Sequence, residues 1–166
     1  MFDQILSAVA SEFSDVPDAG RVARIVVRLL LAAALGGLLG YERERRGKAA
    51  GIRTHMLVAL GCALFVLVPE QSGMDSGGLA RVIQGVVAGI GFLGAGAIIK
   101  QRREAHVQGL TTAAGVWLTA AIGIACGLGR ETTAVLSTLL ALVILAVVPR
   151  WLERSAAGAS DPPSKR

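Results

Sequence analysis

Apolar residues form five long runs along this chain, and the charged residues lie between these runs and at the two ends of the chain. The runs without a charged residue cover 29–41, 54–69, 82–99, 107–129 and 132–149. A membrane-spanning helix needs about 20 apolar residues to cross roughly 30 Å of hydrocarbon. The pattern therefore predicts an all-α, polytopic membrane bundle with about five transmembrane helices, of which the first two are short.

The composition supports this assignment and divides the chain into three parts. Of the 166 residues, 53% are hydrophobic and only 17% are charged, which excludes an ordinary soluble domain. We expect one membrane domain over 24–150, an N-terminal segment over 1–23, and a polar cytoplasmic tail over 151–166 that is disordered. An amphipathic helix at the membrane surface is predicted near the N-terminus, where apolar residues recur at helical spacing: Phe2, Ile5, Leu6, Val9 and Phe13.

The net charge of +5 is explained by membrane topology rather than by nucleic-acid binding, because the basic residues lie beside the apolar runs. Lys and Arg concentrate in the 42–53 and 100–106 loops, which the positive-inside rule places in the cytoplasm. The 70–81 connection and the turn at 130–131 are poor in basic residues and should lie outside. Five spans then put the N-terminus outside and the C-terminus inside.

Arg28 immediately precedes the first apolar run. If Tyr41 marks the inner interface, Arg28 lies about 20 Å above it, because each helical residue rises about 1.5 Å. A charge at this depth either snorkels to the outer interface or pairs with an acid of the outer loop, Glu70 or Asp75. The sequence leaves both alternatives open.

Small residues suggest how the spans pack, because membrane helices associate through close backbone approach. The third run is rich in glycine, which predicts that it forms the central helix of the bundle. The fifth run has no glycine and should be peripheral. Trp117 lies well inside the fourth run and is expected to pack within the bundle. The predicted packing residues are Gly36, Gly40, Gly85, Gly89, Gly91, Gly94, Gly96 and Trp117.

The sequence contains no hydrolytic triad, Walker loop or metal-binding Cys/His spacing. We therefore expect neither an enzyme nor a bound cofactor or metal. Cys62 and Cys126 are interpreted as small packing residues, and His55 and His106 as polar residues near the membrane interface.

The charge cluster between the first two runs, residues 42–54, allows two interpretations. In the first, acids and bases pair along one helix, such as Glu42 with Arg46 and Glu44 with Lys48, and the cluster is a self-paired, solvated turn. Alternatively, Gly47 and Gly51 permit a chain reversal that brings Arg53 back towards Glu42 and Arg43 and forms a polar site.

Four motifs carry a family resemblance over residues 24–150. They are Leu39-Gly40-Tyr41-Glu42-Arg43-Glu44-Arg45 followed by Ala50-Gly51-Ile52-Arg53-Thr54, then Arg81-Val82-Ile83-Gln84-Gly85, then Gly89-Ile90-Gly91-Phe92-Leu93-Gly94-Ala95-Gly96, and finally Gly109-Leu110-Thr111-Thr112-Ala113-Ala114 with Trp117. This order resembles the N-terminal membrane domain of the MgtC/SapB family. Many relatives have Pro where Ala49 stands, and the better-known members add a soluble ACT-type domain that this sequence lacks.

The resemblance implies a bacterial inner-membrane protein connected with low-magnesium adaptation, intracellular survival and membrane energetics. Members of that family look more like regulators of other membrane proteins, including the ATP synthase, than like dedicated magnesium pumps. A homodimer is a further alternative. The motif residues expected to form one polar site are Glu42, Arg43, Arg53, Thr54, Gln84, Thr111 and Thr112.

The alternative function is a carrier or channel for a small ion or solute. Polar groups within the spans, such as Gln84, favour it. No acidic residue lies within any of the five runs, however, and Mg²⁺ requires oxygen ligands and gives up water reluctantly. The sequence therefore favours a regulator over a magnesium transporter.

Overall fold

The computed structural model describes residues 1–12, 18–99 and 109–159. Within these residues the chain forms six helices and no strand. They are α1 (Phe2–Glu12), α2 (Ala19–Arg45), α3 (Ile52–Gln71), α4 (Ser76–Ile99), α5 (Leu110–Gly127) and α6 (Glu131–Ala159). Five of them, α2 to α6, are long and apolar enough to cross a membrane, which confirms the predicted all-α membrane bundle. Phe13, the 100–106 loop, His106 and residues 160–166 lie outside the described residues.

Helix α2 is much longer than its charge-free run because it continues through charged residues at both ends. The Asp18 side chain begins the helix by accepting a hydrogen bond from the Gly20 amide at 3.0 Å. Arg and Glu are good helix formers, so the arginines at its start and the charge cluster at its end extend it. With 27 residues, α2 is long enough to cross the membrane with room to spare.

Helix α6 also continues beyond its expected end. Residues 151–159, which we expected to be disordered, belong to this helix, and Pro149 lies inside it. A proline removes only one intrahelical hydrogen bond, and the Leu, Glu, Arg and Ala residues that follow have high helix propensity.

The central helix is α5, which packs against α2, α3, α4 and α6. It approaches α3 closely at Gly123 and Gly127, and a Cβ atom at Gly127 would lie only 2.5 Å from the Ala63 carbonyl oxygen. Helix α2 approaches α3 in the same way, because a Cβ atom at Gly36 would lie 2.5 Å from the His55 carbonyl oxygen. Glycines therefore allow α3 to approach α2 and α5 closely.

The prediction that the third apolar run is central is wrong for the single chain. This run is α4, and among the described helices it packs against only α3 and α5. A Cβ atom at any of four of its predicted packing glycines would meet nothing within 4 Å, namely Gly85, Gly89, Gly91 and Gly96. Trp117 is likewise 53% exposed on the outer surface of α5 rather than packed inside. The prediction rested on the number of small residues in each run, and that number does not indicate which face of a helix points inwards.

Helix α1 contacts no other helix in the described part of the chain. Its apolar side chains Phe2, Ile5, Leu6 and Val9 are all exposed. An amphipathic helix with this exposed face fits the prediction that it lies in the membrane surface.

The helices place charged residues at two opposite ends of the bundle. The turn end contains residues 72–75 and 128–130, and the loop end contains residues 46–51. At the turn end, Arg28 donates to the Glu70 carboxylate and to the Gly127 carbonyl, at 2.9 and 3.0 Å. It also lies 3.7 Å from the Glu131 carboxylate. The structure thus favours pairing over snorkelling for Arg28, and its partner in the predicted outer loop is Glu70. The other candidate, Asp75, accepts instead from the Gly78 amide at the start of α4.

Candidate functional site

The loop end is built by a tight reversal between α2 and α3. Gly47 adopts a positive φ of 65°, which ends α2 and turns the chain back. The Glu44 carboxylate then accepts a hydrogen bond from the Ile52 amide at 2.9 Å and so caps the start of α3. The reversal expected from Gly47 and Gly51 is present, but Glu44 caps a helix instead of pairing with Lys48.

Ion pairs inside this reversal centre on Glu42. Its carboxylate pairs with Arg46, one turn further along α2, and lies 3.8 Å from Arg43 Nη1. The Glu42 side chain is only 15% exposed. Arg53, by contrast, is exposed on the first turn of α3, and among the described residues no ion pair joins it to Glu42. The two interpretations of the cluster are therefore each correct in part.

Arg43 is the most deeply buried charged residue in the described part of the chain, with 3% of its surface exposed. Within residues 1–12, 18–99 and 109–159, two of its guanidinium nitrogens, Nε and Nη2, have no hydrogen-bond partner. A guanidinium offers five N–H donors, and burying such a group without acceptors carries a large desolvation cost. Arg43 therefore has donors available for an additional acceptor.

His55 lies beside Arg43 and is completely buried. Its Nδ1 is 3.0 Å from the Gly51 carbonyl oxygen. Because a carbonyl only accepts, Nδ1 must carry the proton, and in the neutral ring Nε2 is an acceptor. In the described part of the chain, that Nε2 atom has no hydrogen-bond partner. His55 was expected near the membrane interface. Its spacing along the helix nevertheless matches the buried positions that follow on α3, namely Ala59, Cys62 and Val66.

Arg43 and His55 both line a narrow slot of about 180 Å³ between α2, α3, α5 and α6. Thr111 is the third polar residue of the slot, and the rest of its wall is apolar. The apolar wall consists of Leu39, Ala114, Gly115, Leu118, Ala141, Ile144 and Leu145.

A wider mouth of about 590 Å³ adjoins the slot at the loop end. The two cavities share four lining residues, so we treat them as one feature and call it the basic groove: Arg43, Thr111, Ile144 and Leu145. The mouth adds two cations, Arg46 and Lys48, and two apolar residues of α6, Val148 and Pro149. The basic groove is thus cationic at the loop end and apolar towards the middle of the bundle.

All residues of the basic groove lie in the part of the chain that matches a protein-family model. The MgtC family model matches residues 29–154 of the chain. The chain belongs to the MgtC family. Helix α1 and Arg28 lie outside the matched segment, whereas every residue of the groove lies inside it.

Individual relatives agree with this assignment. Protein SrpB of Synechococcus elongatus is 44% identical over 144 residues, which cover 77% of this chain and 79% of SrpB. "Putative magnesium transporter YhiD" of Escherichia coli K12 is 42% identical over 132 residues, 75% of this chain and 60% of YhiD. Protein MgtC of Salmonella typhimurium LT2 is 45% identical over 117 residues, 70% of this chain and 49% of MgtC. The chain thus spans only about half the length of MgtC. No solved structure matches it.

The structure separates the seven motif residues expected to form one MgtC-type polar site. Arg43 and Thr111 line the basic groove, and Glu42 contacts it through its pairs with Arg43 and Arg46. Thr112 is buried but does not line the groove. The remaining three are exposed elsewhere, on the first turn of α3 or on α4, and they are Arg53, Thr54 and Gln84. Among the described residues, no group of three or more His, Cys, Asp or Glu side chains could hold a metal ion.

Proposed function

We propose that this MgtC-family chain is a bacterial inner-membrane regulator that binds another membrane protein in connection with low-magnesium adaptation, rather than a magnesium carrier. The observation that carries the proposal is the apolar interior between the two charged ends of the bundle. The loop end faces the cytoplasm in this proposal, as the positive-inside rule predicts.

The interior offers little to a hydrated cation. The buried side chains between the charged ends are small or apolar and include Ala32, Leu35, Ala59, Ala63 and Ile122. Two buried hydroxyls at this level, Thr119 and Thr138, donate to carbonyls of their own helices at 2.9 and 2.8 Å. Mg²⁺ requires six oxygen ligands and keeps several of its waters. A carrier for this ion needs a wetter and more acidic path than these residues supply.

The outer surface of α4 offers a binding face for another helix. Gly85 and Gly89 are exposed on it, and they help to line an apolar groove of about 470 Å³ between α3 and α4. Exposed glycines one turn apart permit a second helix to approach closely. We propose that this face binds a helix of the regulated membrane protein; the family resemblance suggests the ATP synthase.

Flux into proteoliposomes tests the regulator against the carrier, a second candidate that the name of YhiD favours. Vesicles containing the purified chain and a trapped magnesium indicator should take up Mg²⁺ no faster than protein-free vesicles. Uptake by the wild type that disappears with Glu42→Ala or Gln84→Ala would overturn the proposal.

Cross-linking in native membranes tests the binding face. The Gly89→Leu change should reduce cross-linking to a membrane partner while leaving the stability of the single chain unchanged, because the glycine has open space around it. Gly61→Leu is the matched control, since Gly61 on α3 also has no neighbour within 4 Å. Equal cross-linking by the two variants would exclude this face. A product with twice the mass of the chain would identify a homodimer instead.

A further inference from the structure

We propose that the basic groove binds one acidic phospholipid, with its phosphate at the mouth and part of an acyl chain in the slot. The inference goes beyond the regulator function and does not rest on it, because a carrier with the same groove would bind the same lipid.

Arg43 is buried in the groove with few acceptors around its guanidinium. Its guanidinium is almost fully buried, and its single carboxylate contact, to Glu42, is 3.8 Å long. The unpartnered Nε and Nη2 atoms belong to a group that lines the groove. An anion with two adjacent oxygens, as in a phosphodiester, can accept from both atoms at once. A bound phosphate would therefore supply acceptors that the described residues do not.

The mouth of the groove is positively charged. Three cationic side chains line it, Arg43, Arg46 and Lys48, and a single carboxylate, that of Glu42, pairs with two of them. The described lining residues therefore carry an excess of positive charge. Because the helices that form the groove are long enough to span the bilayer, we place this end of the bundle at the level of the phospholipid headgroups. Basic pockets between transmembrane helices at the cytoplasmic side are characteristic binding sites for acidic headgroups.

The groove changes from cationic at the mouth to apolar in the slot. On α6, the wall runs from Pro149 at the mouth to Ala141 in the slot, a rise of about 12 Å. The cations lie at the first end and the apolar wall continues to the second. Ile144 is half exposed, so the groove opens sideways towards the bilayer. This arrangement matches an amphiphile that enters from the adjacent leaflet.

Other occupants fit less well. A free inorganic anion would satisfy Arg43 but leave the apolar slot empty. One turn of a helix about 10 Å across and 5.4 Å long occupies roughly 400 Å³, more than twice the slot volume of about 180 Å³. His55 adds a preference: its Nε2 atom accepts, so a headgroup with a hydroxyl donor, such as the glycerol of phosphatidylglycerol, can satisfy both His55 and Arg43.

Native mass spectrometry of the full chain in detergent, titrated with phosphatidylglycerol or with phosphatidylcholine, tests the proposal. The wild type should retain one phosphatidylglycerol at least tenfold more tightly than phosphatidylcholine. Arg43→Gln should remove this preference. Arg53→Gln is the matched control, because Arg53 is a cation at the same end of the bundle but exposed outside the groove. Equal losses with the two variants would reduce the effect to general surface attraction and overturn the proposal.

A second pair of variants keeps the test valid if Arg43→Gln does not fold. Ala114→Phe fills the slot and should weaken lipid retention about tenfold, whereas Ala95→Phe, on the exposed surface of α4 outside the groove, should not. Retention unaffected by Ala114→Phe would show that no acyl chain enters the slot. Inorganic phosphate that displaces the lipid at millimolar concentration would identify a site for a soluble anion and overturn the lipid assignment.

Discussion

Arg28 and Arg43 lie on the same helix, about 22 Å apart along its axis, at opposite ends of the bundle. Arg28 is 19% exposed, and it reaches a carboxylate of α3, a carbonyl of α5 and a carboxylate of α6. Arg43 is more deeply buried, yet two of its nitrogens have no partner among the described residues. The number of acceptors, rather than the degree of burial, distinguishes these two residues.

The difference indicates a division of labour between the two ends. At the turn end, Arg28 joins α2 to three other helices, so its charge contributes to the stability of the bundle. At the loop end, the burial of Arg43 costs free energy that the chain alone does not recover. A group of this kind is expected where a ligand completes the site, which is why the basic groove is assigned to the loop end.

The largest expected effect is that of Arg28→Met. The change removes two hydrogen bonds from a charged group and leaves Glu70 without its partner. We expect the free energy of unfolding to fall by about 1.5–3 kcal/mol, measured by reversible unfolding in mixed micelles. Arg24→Met is the control, because Arg24 is exposed on the same helix one turn earlier. Equal losses for the two variants would contradict the structural role of Arg28.

A smaller effect is expected for Gly129→Ala, which disturbs Arg28 without removing it. Gly129 has a φ of 68°, and a Cβ atom there would lie 2.8 Å from Arg28 Cζ. Gly73→Ala is the control, because Gly73 has a φ of 75° but no neighbour within 4 Å. Backbone strain should cost each variant about 1 kcal/mol, and Gly129→Ala should cost about 1 kcal/mol more in the same unfolding assay. Identical losses would show that the Arg28 guanidinium moves aside freely.

The sequence predicted the five spans because hydrocarbon requires every backbone polar group to be satisfied within a segment, and long apolar runs meet that requirement only as helices. It did not predict which helix is central. Gly123 and Gly127 have the same four-residue spacing as Gly85 and Gly89, yet the first pair faces α3 and the second faces outwards. Spacing reports that two residues share a face, but the direction of that face depends on the neighbouring helices.

The candidate site could be predicted only in part for the same reason. Family motifs selected Arg43 and Thr111, which do line one groove. They also selected Gln84 and Arg53, which the helix orientations place on other surfaces. His55 was assigned to the interface from its position near the end of an apolar run, although it shares helical spacing with Ala59, Cys62 and Val66. Its burial results from the close approach of α2 at Gly36, which is a tertiary contact.

Glu44→Ala sharpens the description of the loop end itself. The change removes the acceptor for the Ile52 amide, and loss of such a cap typically costs about 1 kcal/mol. Lys48→Ala tests the pairing that the sequence suggested for Glu44, and it should change the free energy of unfolding by less than about 0.5 kcal/mol. If the two variants are equally destabilised, an ion pair rather than a helix cap holds the reversal.

Arg43→Met is expected to have the smallest effect and is the most direct test of the comparison. Methionine keeps much of the side-chain volume and removes a buried charge, while Glu42 keeps its pair with Arg46. The desolvation penalty of a buried charge can exceed its Coulombic gain, and Arg43 has only one long ion pair among the described residues to offset that penalty. In detergent without acidic lipid, the free energy of unfolding should therefore stay within about 0.5 kcal/mol of the wild type or rise. A loss as large as that of Arg28→Met would mean that Arg43 is already satisfied within the chain, and the two ends would then not differ in kind.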